Sequence, residues 1–311
     1  MSALKKKETL TSNITYMALM AAINVVFILI VRFLPILQIL LIFILPLTNA
    51  IVALCCKKRY FPIYAIVTVL LCMLVAWNIM DALFYIIPSI LSGFMFALLL
   101  EKKVDNIYII YVSTIINVIF TYVSIPIINF LFKIDFIYNF AYVFKLHEFK
   151  YLDIITPIFI FFIALVQSTF AYAVIKEELL KLGIKPDENN KNSDLFIILG
   201  LFVSLLLSIG FVFIGKGQFA YLFMMSALYF AIFIIIKLIM SKKRWIIISL
   251  IASFFIFLFL FAFLYQHIKE PFGFLSINIF LFLIGIIGFS NNYLLTRKKK
   301  DTIKSVEENN G

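Results

Sequence analysis

The chain is poor in the residues from which most enzyme sites are built. Its 311 positions hold two histidines, three cysteines and 14% charged residues, against about 25% charged in an ordinary soluble protein. Cys55, Cys56 and Cys72 lie in apolar sequence and show neither a disulfide framework nor a metal-ligand spacing, so they read as packing residues. His147 is followed by Glu148, but Tyr151 stands where a zinc protease would place its second histidine. No Walker lysine loop and no dinucleotide glycine fingerprint occurs, so the chain by itself has no means of coupling ATP hydrolysis to work. A serine nucleophile would lack a buried histidine or lysine to activate it. The expectation is a protein that is not an enzyme and holds no cofactor or metal.

What is abundant is apolar sequence, at 64% of residues. One soluble core cannot hide that excess. Long hydrophobic runs cover 14–31, 36–56, 60–80, 82–100, 107–132, 154–175, 195–214, 219–240, 245–265 and 272–295. A helix needs about 20 apolar residues to cross a bilayer, whereas barrel strands need only about 9 to 11 and alternate in polarity. Helices also satisfy their own backbone polar groups, as lipid demands. The fold expected is therefore all-α: a polytopic membrane bundle of about ten spans, eight at the least.

Orientation follows from lysine and arginine, which favour the cytoplasmic side of short loops. With the amino terminus inside, twenty of the 27 basic residues fall on inner segments and six on outer ones, and Lys237 lies within the eighth run. Every second boundary is basic, as at Lys57 to Arg59, Lys242 to Arg244 and Arg297 to Lys300. Both termini are thus expected in the cytoplasm, with the lipid bilayer as the chain's main partner. The net charge of +11 is then a topology signal, and no nucleic-acid partner is needed to explain it. Behind the first run stand Arg32, Phe33, Leu34 and Pro35, not a small-residue cleavage site, so that run is expected to remain in the mature protein.

The polar stretch around 176–194 divides the chain. Residues 1–175 form a six-span bundle, 176–194 a cytoplasmic linker, 195–296 a four-span bundle and 297–311 a basic and then acidic tail. Residues 176–182 have helical composition and are expected to prolong the sixth span. Glu177 and Glu178 lie in this cytoplasmic sequence and lack the arginine that follows the paired glutamates of membrane CAAX-type proteases. The outer loop at 133–153 is rich in Phe and Tyr, which suits either an interfacial helix or a lid.

Few polar residues lie at membrane depth, and each is a candidate for function. Arg32, Trp77, Asn78 and Asp81 fall at the outer ends of the first, third and fourth runs and, with Asn129, are expected to line an outward-facing substrate pocket. Marking the water interface is the plainer reading of Arg32 and Asp81. The neutral groups Asn24, Gln38, Asn117, Thr121, Ser124, Asn129, Gln167 and Ser168 could bind a neutral polar ligand or join neighbouring helices.

Ala18 and Ala22, four residues apart, share one helix face and would let another helix approach closely. This opening run, from Ala18 to Val26, and the later Leu45, Pro46, Leu47, Thr48 and Asn49 resemble the first helices of S components of energy-coupling-factor transporters. The resemblance implies a small-molecule-binding first half, docked through Ala18 and Ala22 on a coupling subunit that works with an ATPase. Over nearly the whole chain the sequence resembles the YybS-like family of uncharacterised bacterial membrane proteins. Pro88 to Gly93, Leu182 to Pro186 and Gly285 to Arg297 carry that likeness, and Asn291 and Asn292 stand where the family has an acidic residue. The resemblance implies a multi-pass protein of the bacterial cell membrane, related to transport, with a scaffold or accessory subunit of an envelope assembly as the alternative.

Overall fold

The computed structural model describes residues 7–33, 38–76, 85–133, 135–143, 152–181, 193–267 and 276–309. Among them are eleven α-helices and no strand. They are α1 (Leu10–Phe33), α2 (Gln38–Cys55), α3 (Phe61–Ala76), α4 (Ile87–Glu101), α5 (Asn106–Phe132) and α6 (Phe136–Val143). Then come α7 (Leu152–Lys181), α8 (Ser193–Phe213), α9 (Gly217–Met240), α10 (Arg244–His267) and α11 (Ile277–Asn309). The 3-10 turn Lys58–Tyr60 leads into α3.

Each of the ten hydrophobic runs carries a helix, but the helices are not equal. Among the described residues seven are long and apolar enough to cross a membrane, and Ile44–Cys55, Ile87–Glu101 and Ile277–Tyr293 are shorter described apolar stretches. Against the roughly ten spans expected, an all-helical membrane bundle is found, with seven helices of spanning length among the described residues. Beyond the tenth run, α11 continues through the basic residues to Asn309. The aromatic loop contains the short helix α6, and α7 extends past the hydrophobic run to Lys181.

The chain divides into two compact units. The first comprises Met1–His147 and Ile160–Asn190, the second Glu148–Phe159 and Lys191–Gly311. In the first unit α1 packs on α2 and α3, α2 on α4, and α4 on α5. The buried face of α1 runs through Met17, Ala21, Asn24 and Ile28, a three-and-four spacing that puts them on one stripe. Ala18, Ala22 and Val26 are exposed on another face. Helix α4 buries Ser89, Ser92, Gly93 and Ala97, small residues that let α2 come close. A Cβ on Gly93 would lie 2.6 Å from the Pro46 carbonyl oxygen and 2.7 Å from the Asn49 Cβ. Cys55, Cys56 and Cys72 are buried free thiols of this unit.

In the second unit α9 is the central helix, packed on α8, α10 and α11. Half of its spanning window is buried, against 11% for α10, so α10 presents most of its Phe-rich surface outward. The α8–α9 turn closes at Gly215, whose φ of 74° lies in the left-handed region that favours glycine. Gly200 of α8 seats the Phe230 ring, Gly285 of α11 faces Leu201 and Phe202, and Gly288 faces Ile234.

Candidate functional site

The first unit contains a polar node that joins three helices. The amide nitrogen of Asn24 on α1 donates to the Asn49 carbonyl oxygen at 3.3 Å and to the Tyr64 hydroxyl at 3.0 Å. Tyr64, on α3, donates in turn to the Asn49 carbonyl oxygen at 2.8 Å. Thr48 of α2 donates to the Asn24 carbonyl oxygen, and the Asn49 amide donates to the Leu45 backbone carbonyl at 2.7 Å. All four side chains are buried. Every polar atom of the two amides therefore has a partner inside the protein. A node completed in this way is suited to holding helices in register, since breaking any member strands a buried donor or acceptor.

A second polar seam lies between α5 and α7, and it is incomplete. Asn117 donates to the Ser168 hydroxyl at 3.1 Å, but its carbonyl oxygen accepts no hydrogen bond. The hydroxyl of Ser113, four residues earlier on the same face of α5, is also buried without a partner. Thr114 and Thr121 turn their hydroxyls back to the carbonyls of Ile110 and Asn117. Closer to the basic end, the Tyr172 hydroxyl bonds the Asn106 side chain. The ordinary outcome for buried polar atoms is pairing. Ser113 and Asn117 together leave a hydroxyl and an amide oxygen able to hold a neutral polar group.

At the basic end of the unit the fully buried Asn13 ties the amino-terminal segment to the turn after α2. Its amide donates to the carbonyls of Lys7 and Thr9, and its oxygen accepts from the Lys57 backbone N–H at 2.8 Å. Lys7 N–H reaches the Cys55 carbonyl at 2.8 Å. Beside it, burial pushes the Cys56 thiol pKa up, an effect that the Lys7 charge partly opposes. The ion pair of Lys58 with Glu101 joins the same turn to the end of α4. In the second unit Lys237 pairs with Asp194, and Lys243 donates to the Asn291 side chain at 2.7 Å.

Of the residues expected to line an outer pocket, Trp77, Asn78 and Asp81 lie outside the described residues. Arg32 belongs to the last turn of α1, and its side chain also lies outside them. Asn129 is half-buried on α5 and makes interactions of its own. Gln38 begins α2, with its side chain outside the described residues. Asn24, Asn117 and Ser168, singled out as neutral polar groups, do take part in buried hydrogen bonds. Thr48, Asn49, Tyr64 and Ser113 were not selected as a polar set. Among the described residues no group of three or more His, Cys, Asp or Glu could hold a metal ion.

The second unit has one further polar link, in which Asn278 donates to Ser208 at 2.9 Å and Ser208 donates to the Ala220 carbonyl at 2.9 Å. No curated protein and no solved structure matches the chain. Residues 22–145, which include the whole Asn24 node and Asn117, match a family described as a predicted membrane protein (DUF2232), in agreement with the membrane location that the seven long apolar helices require.

Proposed function

We propose that the chain is a non-enzymatic, transport-related protein of the bacterial cell membrane whose first unit binds a small neutral polar molecule. The observation that supports this reading is the pair of unpartnered buried groups, Ser113 Oγ and Asn117 Oδ1, on one face of α5. A hydroxyl and an amide oxygen select hydrogen-bonding neutral solutes over ions, because a charge without a counter-charge is costly at that depth. The likeness to S components and to the YybS-like family gives the reading its transport context. The basic boundaries favour ten membrane-inserted elements with both termini in the cytoplasm.

Energy for transport would come from a coupling subunit and its ATPase, docked on α1. The exposure of Ala18 and Ala22 on one face of that helix favours docking, and it equally supports the scaffold reading, in which an envelope protein occupies the same face. The decisive experiment purifies the full chain from its own membranes and identifies released solutes and retained proteins by mass spectrometry. A neutral polar solute carried by the wild type and lost in Asn117→Leu supports the binding reading, while preparations that are always empty count against it. Recovery of an ATPase and its membrane partner, lost in Ala18→Phe with Ala22→Phe, supports coupling. Recovery of a different envelope protein with the same sensitivity selects the scaffold.

A further inference from the structure

The second unit contains a polar arrangement that the proposed function does not use, at the end where α8 closes, α9 begins and α11 begins. Ser276 ends a 3-10 turn that leads directly into α11. Its hydroxyl is buried with no hydrogen-bond partner, and the carbonyl oxygen of Asn278, two residues on, is likewise buried and unpartnered. Both residues are 7% exposed. The orientation of Asn278 follows from its neighbours: the amide nitrogen donates to Ser208, and Ser208 spends its own proton on the Ala220 carbonyl. The amide oxygen is left as the open acceptor.

Three facts narrow what this end could hold. The exposed Lys216 ammonium at the rim disfavours a cation. The Asn278 oxygen is an acceptor, which disfavours an anion beside it. Burial penalises charge of either sign. A neutral hydroxyl meets all three conditions, because it donates to Asn278 Oδ1 and accepts from Ser276.

The rim identifies the source of such a hydroxyl. Phe213 is 87% exposed, Ile214 68% and Phe219 41%, so the α8–α9 tip belongs among lipid headgroups and upper acyl chains rather than in water. Between them the exposed Lys216 precedes α9, one helical turn before Ala220, where its ammonium would attract a phosphate. We infer that this end of the second unit binds the headgroup of phosphatidylglycerol, with a glycerol hydroxyl on Ser276 and Asn278 and the phosphate at Lys216. The inference needs only the membrane location and stands apart from the solute reading of the first unit.

The test uses the full chain in detergent, exchanged into lipid nanodiscs and analysed by native mass spectrometry with two lipids of equal acyl chains. Phosphatidylglycerol offers hydroxyl and phosphate, and phosphatidic acid only the phosphate. Two neutral hydrogen bonds correspond to a preference of about tenfold for phosphatidylglycerol. Ser276→Ala and Asn278→Leu should each remove most of that preference while leaving phosphatidic acid retention unchanged, and Lys216→Gln should lower retention of both lipids. Ser276→Ala removes a hydroxyl bonded to nothing else, so it tests the site even where Asn278→Leu impairs folding. Equal retention of the two lipids by the wild type overturns the inference. So does undiminished preference in Ser276→Ala, protection by free glycerol with no response to phosphatidylglycerol, or a density map with a lone water between Ser276 and Asn278.

Discussion

The two units solve the same problem differently. Lipid tails are as apolar as leucine, so helices in a bilayer need close packing or hydrogen bonds to stay together. In the first unit, α1, α2 and α3 are joined side chain to side chain through Asn24, Thr48, Asn49 and Tyr64. Helix α4 locks against them with Gly93 lying on the backbone of α2. In the second unit the close approaches are made by glycine against rings and branched side chains, Gly200 on Phe230, Gly285 on Phe202 and Gly288 on Ile234. One unit has rigid neighbours at its tight point, the other deformable ones. Tolerance to change should differ accordingly.

The largest effect is expected where backbone meets backbone. A methyl at position 93 would sit 2.6 Å from the Pro46 oxygen and 2.9 Å from the Ala50 nitrogen, so helix must move from helix. The gain in helix propensity from glycine to alanine, about 1 kcal/mol, is too small to offset overpacking of about 1 to 3 kcal/mol or more. Gly93→Ala should therefore lower the thermal midpoint markedly. The three buried cysteines all lie in this unit, so the rate at which a thiol-reactive dye labels them on heating reports its opening. Unchanged labelling would break the comparison at its strongest point.

Next in size is Asn49→Ala. The substitution leaves the Tyr64 hydroxyl without its acceptor and one bond fewer for Asn24. Hydrogen bonds between membrane helices average about 0.6 kcal/mol, while stranding a buried polar group costs about 1 to 3 kcal/mol. A loss near 1 to 2 kcal/mol should result, again read by dye labelling. Adding Tyr64→Phe removes the stranded hydroxyl but also the last acceptor of the buried Asn24 amide, so the loss in the double variant should depart from the sum of the single losses. Strictly additive losses in the double variant would show that the node is not a unit.

Much of this architecture was legible in the sequence, and the physical reason is the solvent. Lipid forces each apolar run to satisfy its own backbone, so all ten runs became helices. It also makes a polar side chain within an apolar run conspicuous, which is how Asn24, Asn117 and Ser168 stood out, although the likewise buried Asn49 and Asn278 did not. Partner choice was not legible. Tyr64 is one of 15 tyrosines, and nothing local distinguishes the one whose hydroxyl faces Asn49. Gly93 reads as an ordinary helix-weakening glycine until Pro46, far away in sequence, is seen beside it. The pocket expected from Arg32, Trp77, Asn78 and Asp81 rests on side chains outside the described residues, so the comparison of units turns on the interior seams instead.

The smallest expected effect sharpens the comparison most. At Gly285 an added Cβ would meet Leu201 Cδ2 at 2.8 Å and the edge of the Phe202 ring at 2.9 Å. These distances are nearly as short as those at Gly93. The neighbours, however, are ends of side chains that pivot about their own torsions, and Phe202 is only partly buried. A displacement of a few tenths of an ångström at such tips costs a fraction of a kcal/mol per off-rotamer angle. Against that stands the gain of about 1 kcal/mol from replacing a mid-helix glycine. Gly285→Ala should thus leave the melting of the second unit within about 1 kcal/mol of wild type, in either direction, as followed by fluorescence of Trp245 in a Trp77→Phe background. Loss as large as that of Gly93→Ala would mean that the contact distance alone, and not the stiffness of the atom met, decides what a membrane helix interface tolerates.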